Sequence, residues 1–426
     1  MVYRLLVLIS LFFGTRNSSA QSKYSEYFTE KTLRFDFLFA GNNHETKVYP
    51  VQMKMEAIWS GSREYLVDHS GLGNFRYKIL DEATGTNLFS RGFSALFQEW
   101  QTTSEAKKAD RAYYQSLFFP FPRQKVLVKI ESRDRQGVFQ PLFETTVDPE
   151  DYFIHKDRTH DYDMLMIEKN GKPENKVDLV FLAEGYGQNE KEKFFADVKR
   201  LNNSLFEVTP FSKNKNRFNV TALFSPSLES GVDIPGDSIY KNTVFNSTFY
   251  TFNVSRYLTT SDMKSIYDAA ASVAWDFLVV LVNTPRYGGG GVYNQITVCS
   301  SDHAQSSKVL IHELGHSFAG LADEYYSSEV AYEDFYNLAV EPWEPNITTM
   351  VDFPSKWKSL LKDTTPIPTP RSSEFKSVTG VFEGGGYMEK GIYSPMQDCR
   401  MKSNATERFC PVCVSAIKAA IDRYSE

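Results

Sequence analysis

The sequence predicts two domains, an N-terminal β-sandwich followed by an α/β domain, and three observations support this. The 426 residues are 42% hydrophobic and 15% aromatic, enough for more than one core at roughly 100–200 residues per domain. Residues 30–150 carry short runs of alternating polarity separated by turn-forming residues, as strands with one buried face do. Past that point, continuous apolar runs alternate with segments of helical spacing, as in a sheet covered by helices.

The chain opens like an export signal. Arg4 precedes an apolar run, Leu5–Gly14, shorter than the roughly 20 residues needed to span a bilayer. Ser18 and Ala20 form a small-x-small pattern, so residues 1–20 are expected to be a signal peptide cleaved after Ala20. No Cys follows the run to carry a lipid anchor. The mature protein is therefore expected to be secreted, periplasmic or on the cell surface, with no stable membrane insertion.

Residues 25–150 form the expected sandwich. Leu33, Phe35, Phe37 and Phe39 alternate with Arg34, Asp36 and Leu38, and Val51, Met53, Met55 and Ala57 repeat the pattern. Phe75, Tyr77 and Ile79 give a third strand, and Val126, Val128 and Ile130 a fourth. "GNNHE", "SGLGN" and "ATGTN" supply turns. No constellation of catalytic residue types occurs here, so an accessory role is expected.

Residues 151–426 form the expected α/β domain. "KVDLVFLAEGY" reads as a buried strand, followed by a helix with Phe194, Phe195, Val198, Leu201 and Leu205 on its apolar face. "RFNVTALFSPS" is a second strand. A helix over 261–275 leads into a third, "WDFLVVLVNT". "RYGGGGVYN" and the strand "QITVCSS" then precede "VLIHELGHSFAGLADEYY" (309–326). The net charge of -6 offers no basic field for nucleic acid. All four cysteines, Cys299, Cys399, Cys410 and Cys413, lie in the C-terminal third. No second CxxC completes a zinc ribbon with "CPVC", so a disulfide from Cys399 to Cys410 or Cys413 is expected.

The chemistry concentrates at 309–326. His312 and His316 are spaced i, i+4, so on a helix both imidazoles project from one face and can share a cation. Zinc accepts two such nitrogens and leaves room for a third protein ligand and a water. Glu313 sits about 100° around the helix from His312, placed to take a proton from that water. This is the pattern of a zincin.

The third ligand defines the subclass. Glu333, Glu341 and Glu344 lie in the range used by zincins with a second ligand-bearing helix, but the intervening sequence has no second helical Glu motif. The other solution ends the helix at a glycine and turns the chain back to the metal. Gly320 can adopt the positive φ required, and Asp323 stands where a metzincin places its last ligand. Metzincins have that glycine three residues after the second His, and here it is four. Asp323 is the expected third ligand and Glu324 the alternative, the other of the two orienting an imidazole. Met401, in "DCRM", is the candidate for a methionine turn beneath the metal, with Met396 the other possibility. Tyr387 and Tyr393 are candidates to steady an oxyanion, Tyr393 being assigned a catalytic role. The glycines of 288–291 would let an extended peptide add to the sheet edge.

"HELGHSFAGLADEYY", with "DLVFLAEGY" upstream and "CRM" downstream, resembles the bacterial metallopeptidase family typified by an IgA peptidase. The resemblance covers residues 155–420, and the all-β region resembles an N-terminal domain of the same family. It implies a zinc endopeptidase with a metzincin-like catalytic domain, His312, His316 and Asp323 as ligands and Glu313 as base. Its expected substrate is protein, peptide or glycoprotein; specificity for IgA does not carry over. Two competing readings are a secreted adhesin or glycan-binding protein with an inactive peptidase-like domain, and a zinc amidase acting on cell-wall peptides.

Overall fold

The computed structural model describes residues 24–156, 160–326 and 335–425. The expected signal segment 1–20 and Glu333 lie outside them. Among the described residues, no helix is long and apolar enough to cross a membrane.

The N-terminal region is built from β1 (Phe28–Gly41), β2 (Thr46–Glu56), β3 (Phe75–Asp81), β4 (Asn87–Phe93), α1 (Leu96–Gln101), β5 (Arg111–Pro122), β6 (Val126–Arg133), β7 (Phe139–Val147) and β8 (Ile154–His155). They form two four-stranded sheets, ordered β5-β1-β2-β8 and β4-β3-β6-β7. The inward residues of both sheets share one core, which includes Phe35, Phe37, Phe39, Phe75, Ile79, Val128 and Ile130. Phe39 and Phe75 stack across it at 4.4 Å between centroids, a contact of the kind that fixes register between packed sheets.

Two details depart from simple alternation. Pairing of β1 with β2 slips between Asp36 and Phe37, so Val51 is the extra residue of a β-bulge and is 49% exposed rather than core. Arg34 and Asp36, the polar half of the β1 pattern, are as buried as the phenylalanines. Their face packs on the C-terminal region, where Arg34 Nη1 lies 2.8 Å from Asp268 Oδ1 and Arg34 Nε 2.6 Å from Asp36 Oδ1.

The C-terminal region is mixed α/β. It contains β9 (Asp163–Glu168), β10 (Val177–Glu184), α2 (Lys191–Leu205), β11 (Phe218–Phe224), α3 (Met263–Ala270), β12 (Phe277–Val282), β13 (Gly289–Val292), β14 (Ile296–Ser300) and α4 (Ser306–Ala319), and it ends with β15 (Phe382–Gly385), β16 (Met388–Ser394) and α5 (Pro411–Tyr424). The main sheet has six strands in the order β13-β14-β12-β10-β11-β9. Its four central strands are parallel and its two edges antiparallel. Every residue of β10 and β12 is buried, because both faces are covered. Residues of α2, α4 and α5 cover one face; α3 and the β5 side chains Tyr114 and Phe118 cover the other.

Helix α3 is shorter than the 261–275 span expected. The chain leaves it after Ala270 so that Trp275 can stack on Tyr267, with centroids 5.8 Å apart and planes 16° apart. The expected disulfide is not formed. All four cysteines are free and buried, and the Cys399 and Cys413 sulfurs are 3.8 Å apart.

Candidate metal centre

Strand β14 delivers the chain into α4, whose apolar residues Val309, Leu310, Ile311, Leu314 and Phe318 face the core. This leaves His312, Glu313 and His316 on the side facing a cleft of about 970 Å³, open mouth included. The ligand atoms of these three residues lie within 4.8 Å of one another.

Helix α4 ends at Gly320, which is left-handed at φ 64°. Its N–H donates to the His316 carbonyl, and the Leu321 N–H donates to the Gly315 carbonyl. A Cβ at this position would meet the Trp343 ring at 2.8 Å, so both conformation and space call for glycine. The reversal brings Asp323 back onto the imidazoles. Asp323 Oδ1 is 3.1 Å from His312 Nε2 and 3.4 Å from His316 Nε2, and the two Nε2 atoms are 3.1 Å apart. Ligands held at about 2.0–2.1 Å from a tetrahedral cation are separated by roughly 3.3 Å, so this triangle fits one. Asp323 Oδ1 is buried and has no well-formed hydrogen bond, as expected of an atom turned toward a cation.

The outer nitrogens are fixed by backbone. His312 Nδ1 is 3.0 Å from the Arg400 carbonyl and His316 Nδ1 is 2.6 Å from the Leu321 carbonyl. Nδ1 must therefore donate, which leaves Nε2 as the ligand lone pair. Tyr387 donates from its hydroxyl to Asp323 Oδ2 at 2.6 Å.

Electrostatics agree with this picture. Burial opposes ionisation of Asp323, but the two imidazoles outweigh it and hold the carboxyl well below its usual range. Burial likewise disfavours a charged His316, yet Asp323 dominates and pushes its pKa up to about 9. A cation in their midst would take the place of those protons. Burial raises the Glu313 pKa, against the nearby imidazoles, as suits a group that must accept a proton and release it.

Met401 is fully buried beneath α4. Its Sδ would lie 2.5 Å from a Cβ placed on Gly315, so the "G" of HELGH is the seat for this thioether. Met396 is also buried but is not drawn against the helix in this way. Tyr393 is outside the cleft lining. Its backbone pairs with Thr348, and the tyrosines that face the cleft beside Asp323 are Tyr325 and Tyr387. Glu324 orients no imidazole. Backbone carbonyls have taken that task, and Glu324 turns to the other side of the chain, accepting from Asn346 Nδ2 at 3.0 Å. Adjacent residues in an extended segment point to opposite faces.

Several cleft residues carried no sequence signal. Arg256 lies within the field of Asp323, Glu313 and Tyr325, and nothing in "NVSRY" marks it. Asn74, Ser94, Gln98 and Glu99 of the N-terminal region also line the cleft, so that region supplies a wall of the candidate site. The glycine run has a packing reason. A Cβ on Gly289 would meet Val309 at 2.6 Å and Glu313 Oε1 at 3.1 Å, so α4 can rest on edge strand β13 only where side chains are missing.

Two family profiles match the chain. IgA Peptidase M64 matches residues 165–378 and 371–421, and Peptidase M64 N-terminus matches residues 23–144. No curated protein matches it. With both profiles in chain order and nearly the whole sequence between them, the chain belongs to the IgA peptidase M64 family, and is a peptidase.

Proposed function

We propose that this protein is an exported, zinc-dependent endopeptidase of metzincin-like design that hydrolyses peptide bonds in protein or glycoprotein substrates. The observation that carries this reading is the triangle of His312 Nε2, His316 Nε2 and Asp323 Oδ1, with Glu313 beside it in an open cleft. Two neutral imidazoles and one carboxylate suit zinc better than a hard, oxygen-seeking cation. A bound zinc would supply Lewis-acid polarisation of the scissile carbonyl and acidify a water.

The chain's own groups do the rest. Glu313 accepts the water's proton and passes it to the departing amine. Arg256 and Tyr325, which are hydrogen-bonded to each other and face the same cleft, are the donors we assign to the oxygen on which charge develops. Tyr387 holds Asp323 by its second oxygen and so keeps the first turned to the ligand position. The apolar and aromatic wall formed by Tyr257, Tyr293 and Trp343 accommodates a peptide's side chains. We place the boundary between the β-rich region and the catalytic region near residue 150, and the mature N-terminus after Ala20.

The test is a digest of a proteome-derived peptide library by the purified mature protein, with chelator and with zinc restored. Internal peptide-bond cleavage that vanishes with chelator and returns with zinc is the expected result. Cleavage indifferent to chelator, or hydrolysis confined to cell-wall amides, would overturn the proposal.

A further inference from the structure

A second group of metal-ligating side chains lies on the far side of the segment that carries Asp323. Cys399, Cys410, Cys413 and Glu324 are all buried, and their ligand atoms lie within 4.8 Å of one another. The Cys399 and Cys413 sulfurs are 3.8 Å apart, and Cys413 Sγ is 3.2 Å from Glu324 Oε1. Two thiolates bound at about 2.3 Å to one tetrahedral zinc are separated by roughly 3.8 Å, and a thiolate and a carboxylate oxygen by roughly 3.5 Å. Glu324 is 0% exposed. Its Oε1 accepts from Asn346 and Cys413, but Oε2 has no partner. A buried, unpaired carboxylate oxygen beside three thiols is costly unless a cation answers it.

We propose that Cys399, Cys410, Cys413 and Glu324 form a second, closed zinc site with a structural role, separate from the catalytic triangle and independent of its assignment.

The surroundings suit thiolates. Cys410 is the N-cap of α5, with Pro411 at the first helical position, so the sulfurs gather at the positive end of a helix. The Cys410 N–H donates to Cys399 Sγ at 3.2 Å, and the Cys413 N–H to Cys410 Sγ at 3.4 Å. The side chains of Lys402 and Arg400 add positive charge near Cys399. Four protein ligands and full burial leave no open position, the hallmark of structural rather than catalytic zinc. "CPVC" therefore needs no second CxxC; its partners are a distant cysteine and a glutamate that the fold brings in.

The site's position gives it a task. Glu324 follows Asp323 directly, and its N–H donates to the Met401 carbonyl at 2.8 Å. Cys399 precedes Arg400, whose carbonyl orients His312. One ion would thus tie together the segment bearing the third catalytic ligand, the segment bearing the methionine turn and the start of α5.

The experiment counts metal and identifies its ligands in the full mature chain. Elemental analysis is expected to find two zinc ions per chain in the unaltered protein and in Glu313→Gln, and one in His316→Ala. Cobalt exchange is expected to give thiolate-to-cobalt charge-transfer absorbance in both the unaltered protein and His316→Ala, because the catalytic triangle has no sulfur. Cys413→Ser should lose that band, whereas Cys299→Ser, at a buried cysteine outside the cluster, should keep it. The cobalt spectrum of the unaltered chain decides the matter even if Cys413→Ser fails to fold. A single zinc that disappears in His316→Ala, or a disulfide among Cys399, Cys410 and Cys413 in chains alkylated without reductant, would overturn the proposal. A sulfur-bound zinc together with metal content unmoved by His316→Ala would sink the catalytic assignment and leave this one standing.

Discussion

Glu313 and Asp323 are both buried carboxyl groups beside the same pair of imidazoles, yet their surroundings shift their pKa values in opposite directions, as suits the different roles proposed for them. Asp323 is held ionised by the rings it faces and is anchored by Tyr387. Glu313 has its pKa raised by burial and is free to exchange a proton. Glu313→Gln is nearly isosteric, so it is expected to keep full metal and to lower turnover by about 10²–10⁴-fold, the usual worth of general-base assistance. Asp323→Ala removes a ligand, so metal content should fall first and added zinc should partly restore activity. Parallel metal analysis and peptide hydrolysis separate the two. Full turnover in Glu313→Gln would contradict its role as base, and full metal in Asp323→Ala its role as ligand.

At the scale of the element, the site is the end of a helix and the turn that follows it. Helix α4 brings two of the proposed ligands together because their spacing matches its period. The third proposed ligand joins them only because Gly320 reverses the chain. A left-handed alanine costs about 1–2 kcal/mol in backbone strain, and here its Cβ would also press on Trp343 and Tyr293. Gly320→Ala is therefore expected to lower the melting temperature by several degrees and, by shifting Asp323, to weaken zinc binding. Thermal melts with and without added zinc check both effects. A variant with unchanged melting and unchanged metal affinity would show that the turn does not depend on glycine.

At the scale of the whole molecule, a buried ion cluster crosses between its two regions. Arg34 pairs with Asp36 and Asp268, and Lys54 Nζ lies 2.6 Å from Asp268 Oδ1. Burial resists the charge on Asp268, but Lys264, Lys54 and Arg34 outweigh it and lower its pKa from 3.8 to about 2. A carboxyl whose folded pKa is depressed contributes stability that is present above its unfolded pKa and is lost as pH falls through the folded value. Asp268→Asn leaves Arg34 and Lys54 short of a buried partner, so it should destabilise the protein by about 3–5 kcal/mol near neutral pH. The deficit should shrink as pH falls from about 4 toward about 2, where the native carboxyl is also protonated. Denaturant unfolding of both proteins across that range measures it, and a deficit independent of pH would refute the assignment. The cluster also bears on the N-terminal region, expected from sequence to be accessory. Arg34 is locked to α3, and Asn74, Ser94, Gln98 and Glu99 line the cleft, so the cleft is walled by both regions.

Much of this was legible in the residues themselves, where periodicity or spacing encodes geometry directly. The continuous run of β10, the helical stripe of α2, and the pairing of His312 with His316 around Glu313 depend only on local backbone repeats. Gly320 could be read as a turn because few other residues tolerate a positive φ. The methionine beneath the helix could be narrowed to Met401 or Met396. Interactions between distant segments were decided by tertiary structure alone. Arg34 and Asp36 alternate like a solvent face, but burial against α3 is a property of the assembled sheets. Tyr387 rather than Tyr393 meets Asp323 because the backbone at Gly386 and Tyr387 bonds to Asp323 and Tyr325. The sequence favoured Asp323 over Glu324 as third ligand by its distance from the glycine, without fixing where either side chain points. An extended chain sends neighbouring side chains to opposite faces, which turned one to the imidazoles and the other to three cysteines.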